Sequence, residues 1–142
     1  PVGTGRFLSL YKDLGLEAVG IDYNTAMLDR ARAKYPDAVL SQGDVTKLPD
    51  LNEAFDAVVC VRLLHLIAPG QVASVMSELF RVARQHVIVT AFVGSREYVQ
   101  GRSQVQLLAT ITSCVPEKWV LLSSTFLLSE KGLPYYMLHF RR

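Results

Sequence analysis

From Leu16 to Phe92, short apolar runs alternate with stretches of helical spacing, and this alternation leaves few folds open to the chain. Leu16 to Asp22 reads as a short buried strand ending in a carboxylate. Thr25 to Lys34 is amphipathic, with Ala26, Met27, Ala31 and Tyr35 returning at helical spacing and Asn24 or Thr25 available as N-cap. Pro36 stops that helix. Ala38 to Leu40 forms a second short strand, followed by Gln42-Gly43-Asp44. Phe55 to Val61 is apolar except for Asp56, the pattern of a parallel strand buried on both faces. Pro69-Gly70 opens a helix to about Arg84, with Val72, Val75, Met76, Leu79 and Val82 on one face, and His86 to Phe92 is the next buried strand. Strand and helix alternating at this pitch predict a three-layer α/β sandwich built on parallel strands.

The tail breaks the rhythm. Residues 102 to about 114 have helical character, whereas Trp119 to Leu128 and Tyr135 to Arg141 are strand-like. The 129–134 connection is too short for a crossover helix, so the two runs are expected to form an antiparallel hairpin.

At 142 residues the chain is expected to form a single domain over 1–142. Fifteen basic and 13 acidic residues give a net charge of only +2 without a basic stripe, so nucleic acid is not indicated as a partner. No apolar run approaches the roughly 20 residues that span a bilayer, so no membrane association is expected. Cys60 and Cys114 lack metal-ligand spacing, no metal is expected, and a reduced, cytoplasmic setting follows. Cys60 reads as a small core residue.

Ahead of the first helical run, Leu8 to Leu14, stands Gly3-Thr4-Gly5, a turn whose glycines let a ligand approach the backbone. In open α/β sheets ligands bind outside the carboxyl ends of the strands, where this turn, Asp22 and Asp44 all fall. Asp22 follows Gly3 by 19 residues, near the ~20 expected of an acid that accepts from both hydroxyls of a ribose. Asp44 suits an exocyclic amine such as that of adenine, or else caps the turn at Val45-Thr46. Tyr23 and Met27 offer apolar walls for a base, although a methionine on a helix face is also a core residue.

These motifs together resemble a class I S-adenosylmethionine-dependent methyltransferase of the small-molecule type. Gly3-Thr4-Gly5-Arg6-Phe7 resembles the end of that family's glycine motif, and Gly20-Ile21-Asp22-Tyr23-Asn24-Thr25-Ala26-Met27-Leu28 its acidic second motif. Gln42-Gly43-Asp44-Val45 resembles the adenine-binding turn, Phe55-Asp56-Ala57-Val58-Val59-Cys60 the fourth strand, and Leu64-His65 a pair the family often carries after it. The resemblance implies a Rossmann-like fold, mostly parallel and closed by an antiparallel hairpin, with S-adenosylmethionine as cofactor and a small-molecule acceptor. It implies cofactor contacts from Gly3, Thr4, Gly5, Asp22, Tyr23, Met27, Asp44, Val45, Val61 and Arg62. Pro1 stands where the family has a glycine, and the family's first strand and N-terminal helical cover have no counterpart here. The expectation is a chain that extends before Pro1 or has been truncated.

The family's reaction is an in-line attack on a sulfonium methyl, for which the protein mainly supplies positioning. His65 is the one candidate acid–base residue, against the alternative of a histidine packed at a strand–helix junction. His86 and His139 read as structural. Arg62 suits an acidic substrate or the cofactor carboxylate, or is a solvated loop residue. Val61-Arg62-Leu63-Leu64 stands where amino-methylating DNA enzymes carry Asn/Asp-Pro-Pro-aromatic, which counts against DNA adenine methylation. A nicotinamide-dependent oxidoreductase needs a third glycine where Leu8 stands. A non-catalytic methyltransferase-like binding protein is the remaining alternative.

Overall fold

The computed structural model describes residues 1–94, 98–100, 103–127 and 135–142. They fall into two compact units, Pro1–Pro49 and Asp50–Arg142.

In the first unit, α1 (Leu8–Asp13) follows the glycine turn and precedes β1 (Val19–Asp22), α2 (Thr25–Lys34) and β2 (Val39–Gln42). The strands β1 and β2 pair in parallel, with Val19 opposite Val39 and Asp22 opposite Gln42. Helix α2 has the bounds its sequence signals predict. Asn24 is the N-cap, its side-chain oxygen accepting from the Met27 N–H at 3.2 Å, and the helix ends ahead of Pro36. Its buried face differs from the expected one: Leu28 and Ala31 are buried, whereas Ala26 and Met27 are exposed. Leu28, Ala31 and Tyr35 sit at i, i+3 and i+7, and packing selects this stripe over the equally helical Met27, Ala31 and Tyr35.

The second unit holds β3 (Phe55–Cys60), α3 (Pro69–Val82), β4 (Ala83–Gly94), β5 (Tyr98–Gln100), β6 (Ser103–Leu107), α4 (Leu108–Thr112), β7 (Val120–Leu127) and β8 (Tyr135–Arg141). The long strand β4 organises the sheet. It pairs in parallel with β3 and, near its end, with β6, and antiparallel with β8. The expected antiparallel pairing of the last two strands is present: β7 runs against β8 from Val120 opposite Arg141 to Leu127 opposite Tyr135. The 129–134 connection lies outside the described residues.

Two expectations are corrected here. The segment predicted as helix to about residue 114 contains strand β6 before the short helix α4. Hydrogen bonding to β4 and β5 outweighs the local helical preference of that segment. Strand β3 is not buried on both faces: Asp56, Ala57 and Val59 are exposed, and only Cys60 is fully buried. Among the described residues β3 pairs with β4 alone, which makes it an edge strand of the second unit's sheet.

Helix α3 begins at Pro69, whose fixed φ suits a first helical position, and the Gln71 side chain accepts from the Ala68 N–H at 3.3 Å. The expected stripe of Val72, Val75, Met76, Leu79 and Val82 is buried. The interior of the second unit also holds Val87, Val89, Leu138 and Phe140. Phe80 lies between Trp119 at 5.0 Å and Phe140 at 5.5 Å, centroid to centroid. No helix among the described residues is long and apolar enough to cross a membrane.

Candidate functional site

In the first unit the site residues gather around the end of β1. Gly3 and Gly5 both adopt left-handed backbone conformations, with φ of +56° and +77°. A side chain at either position would be strained. The two glycines differ in surroundings. A Cβ on Gly5 would lie 2.9 Å from Leu8 Cδ1 and 3.0 Å from the Tyr35 ring, whereas one on Gly3 would meet nothing within 4 Å. Gly5 is thus needed for packing, and Gly3 leaves an approach to the backbone open.

Asp22 closes β1 and reaches back to that turn. Its Oδ2 accepts from the Gly3 N–H at 2.8 Å and its Oδ1 from the Asn24 N–H at 2.9 Å. The Val2 N–H donates to the Ile21 carbonyl at 2.8 Å, so the start of the chain runs beside β1 and delivers Gly3 to the carboxylate. Each carboxylate oxygen keeps a further lone pair, which leaves Asp22 able to accept from a diol.

Tyr23 is 75% exposed and Met27 38%, so neither is spent on the core, and Met27 is not the packed methionine a helix face often holds. Thr4 is exposed and Val45 half-buried. Asp44 is more engaged in its own turn than expected. Its Oδ1 accepts from both the N–H and the hydroxyl of Thr46, at 2.8 and 2.7 Å. These bonds, the backbone one first, hold its carboxyl below the usual aspartate range, so the anion is the resident form. Both bonds fall on Oδ1, which leaves Oδ2 directed elsewhere.

The second unit carries Val61, Arg62 and His65 just after β3. Arg62 is exposed and has a left-handed backbone, φ +63°, with its N–H donating to Thr90 Oγ1 at 2.9 Å. His65 is buried, 6% exposed, its ring edge-on to Phe92 at 4.9 Å and to Tyr135 at 5.9 Å. A packed position at the strand–helix junction is thus where the structure places it. Burial raises the Cys60 thiol above its usual range, as befits a core residue. His86 and His139 meet across β4 and β8, Nδ1 to Nε2 at 3.0 Å. No group of three or more metal-binding side chains occurs among the described residues.

Sequence reasoning did not single out Thr90 or Tyr135, whose hydroxyls lie 2.5 Å apart behind Arg62. The available signal was a threonine inside the apolar run 87–92. Nor was Asn24 seen as a partner of Asp22, although Asp-x-Asn ahead of a helix suits such a turn.

Residues 2–86 match a family model described as a methyltransferase domain. A demethylmenaquinone methyltransferase of Beutenbergia cavernae is 33% identical over 82 residues, which are 58% of this chain and 33% of that protein. The match spans about a third of the length of the curated relatives. Among solved structures, the magnesium protoporphyrin IX methyltransferase of Synechocystis PCC 6803 superposes with a TM-score of 0.84 at 15% identity, covering 99% of this chain and 71% of that one. A protein of Pyrococcus horikoshii OT3 does so with 0.82 at 18%, covering 99% and 78%. The α/β fold is therefore Rossmann-like, and with more than half its residues matching the family model, the chain belongs to the class I methyltransferase-domain family.

Proposed function

We propose that this chain binds S-adenosylmethionine and belongs to an enzyme that transfers its methyl group to a small-molecule acceptor. The observation that carries the reading is the Asp22–Gly3 bond, which brings a ribose-type acid and a glycine turn with an open Cβ position to one strand end. The residues fit the cofactor by their chemistry. Asp22 would accept from the ribose hydroxyls, and the turn at Gly3, Thr4 and Gly5 would hold the amino-acid portion. Tyr23 and Met27 would supply apolar walls for the base, and Asp44 with Val45 would meet its exocyclic amine. Val61 and Arg62 join this set through the family resemblance.

When bound, the cofactor supplies a methyl group on a sulfonium, already activated toward a nucleophile. What remains for the protein is to hold the acceptor in line and to keep water away. An acid–base residue contributes only where the acceptor must lose a proton. His65, buried against Phe92 and Tyr135, is the candidate for that role.

Calorimetric titration of the full-length protein with S-adenosylhomocysteine tests the binding half of the proposal. Saturable one-to-one binding is expected, and its absence would overturn the reading. Transfer of labelled methyl from S-adenosylmethionine to extracted small molecules tests the enzymatic half and separates it from binding without turnover.

A further inference from the structure

The turn after β3 is held in a strained form by groups that come from two strands far along the chain. A left-handed backbone is unfavourable for a residue with a Cβ, and it persists where surrounding structure enforces it. At Arg62 the enforcement is visible: its N–H is tied to Thr90 Oγ1 at 2.9 Å.

Thr90 sits in the interior of β4 at 2% exposure, among Val87, Val89 and Ala91, which are fully buried. A hydroxyl in such surroundings is unfavourable unless it is hydrogen-bonded, and valine would fill the same space. Thr90 uses its hydroxyl twice. It accepts from Arg62 and lies 2.5 Å from the Tyr135 hydroxyl, at the start of β8. The Tyr135 ring meets Phe92 at 4.8 Å and stands edge-on to His65 at 5.9 Å. Two residues of the 61–68 loop are thereby fixed from behind, Arg62 through its amide and His65 through its ring.

That loop follows the carboxyl end of a parallel strand, the place where open α/β sheets meet their ligands. We infer that Thr90 and Tyr135 are positioning residues, which hold the Val61–Leu66 turn in the form that meets the cofactor. The inference rests on the function proposed above, in which Val61 and Arg62 belong to the cofactor-binding set. Thr90 and Tyr135 act through the Arg62 amide and the His65 ring.

Thr90→Val, Thr90→Ser and Tyr135→Phe test the inference in the full-length protein, each variant removing or keeping one hydroxyl. Two quantities are read: S-adenosylhomocysteine affinity by calorimetry, and amide hydrogen exchange of the 61–66 segment by mass spectrometry. Thr90→Val and Tyr135→Phe are expected to speed exchange in that segment and to weaken affinity about 5- to 30-fold. Thr90→Ser, which retains the hydroxyl, is expected to behave like the wild type in both. Wild-type affinity in Thr90→Val, or equal loss in Thr90→Ser, overturns the inference alone. So does faster exchange with unchanged affinity, or collapse of the melting temperature in both hydroxyl-lacking variants, since either outcome assigns a purely structural role. A wild type that does not bind S-adenosylhomocysteine overturns the cofactor reading and this inference with it.

Discussion

The Gly3 amide donates to the Asp22 carboxylate at 2.8 Å, across 19 residues of sequence. This bond makes the glycine turn and the acidic end of β1 one structural unit. The acid that the ribose would need is also the acid that anchors the turn, so ligand binding and local stability share a side chain.

Asp22→Ala should therefore weaken S-adenosylhomocysteine binding by roughly 5- to 150-fold, the equivalent of ~1–3 kcal/mol for partners left unpaired. Calorimetry on the full-length protein reads the loss. Unchanged affinity would place the ribose elsewhere.

The two glycines of the turn should separate in their effects. Gly5→Ala meets Leu8 and Tyr35 at 2.9–3.0 Å besides adopting φ +77°, whereas Gly3→Ala carries only the strain of φ +56° in open space. A left-handed alanine costs about 1–2 kcal/mol, and the clash adds to this at Gly5 alone. Denaturant unfolding should show Gly5→Ala to be the less stable variant. Equal losses would mean that Leu8 and Tyr35 move aside freely.

Stability should fall on mild acidification. Burial first, then the nearby His86 and Arg141, holds His139 below the ordinary histidine range. The unfolded chain then takes up the proton more readily than the folded one. Stability is present above the unfolded value near ~6.5 and is lost as pH falls through the lower folded value. His139→Gln should flatten the decline of unfolding free energy between about pH 8 and about pH 5. An identical slope in the variant would assign the dependence to other groups.

Phe140→Ala should cost about 3–5 kcal/mol, because the ring is fully buried against Phe80 in the second unit. Asp56→Asn should cost less than about 1 kcal/mol, although Asp56 pairs with Arg84, since those side chains are 75% and 49% exposed. Chemical denaturation of both variants would check the ranking, and a reversal would contradict the burial argument.

Much of the fold was legible because its signals are local. Helix α2 starts after Asn24 and stops before Pro36 as its cap and breaker dictate, and the buried stripe of α3 follows its 3.6-residue period. The hairpin of β7 and β8 was legible because a short connection allows only antiparallel strands. Strand β6 was not legible, because its conformation depends on pairing with β4 and β5, and a residue's own preference carries no information on such partners. Met27 was ambiguous for a related reason: one turn of helix offers several apolar stripes, and only packing selects Leu28 over its neighbour.

The sequence by itself determined the alternation of strands and helices, the glycine turn, and an acid at the right distance to serve it. These follow from chain stiffness, capping and periodicity, which act over a few residues. Tertiary structure alone decided that Asp22 bonds Gly3. It also decided that His65 packs against Phe92 and Tyr135, and that Thr90 and Tyr135 meet behind Arg62. Thr90 and Tyr135 are 45 residues apart, and a contact at that separation exists only once β4 and β8 have paired. Non-local hydrogen bonds of this kind depend on the register of whole strands, which the cooperative packing of the core sets and no short stretch of sequence encodes.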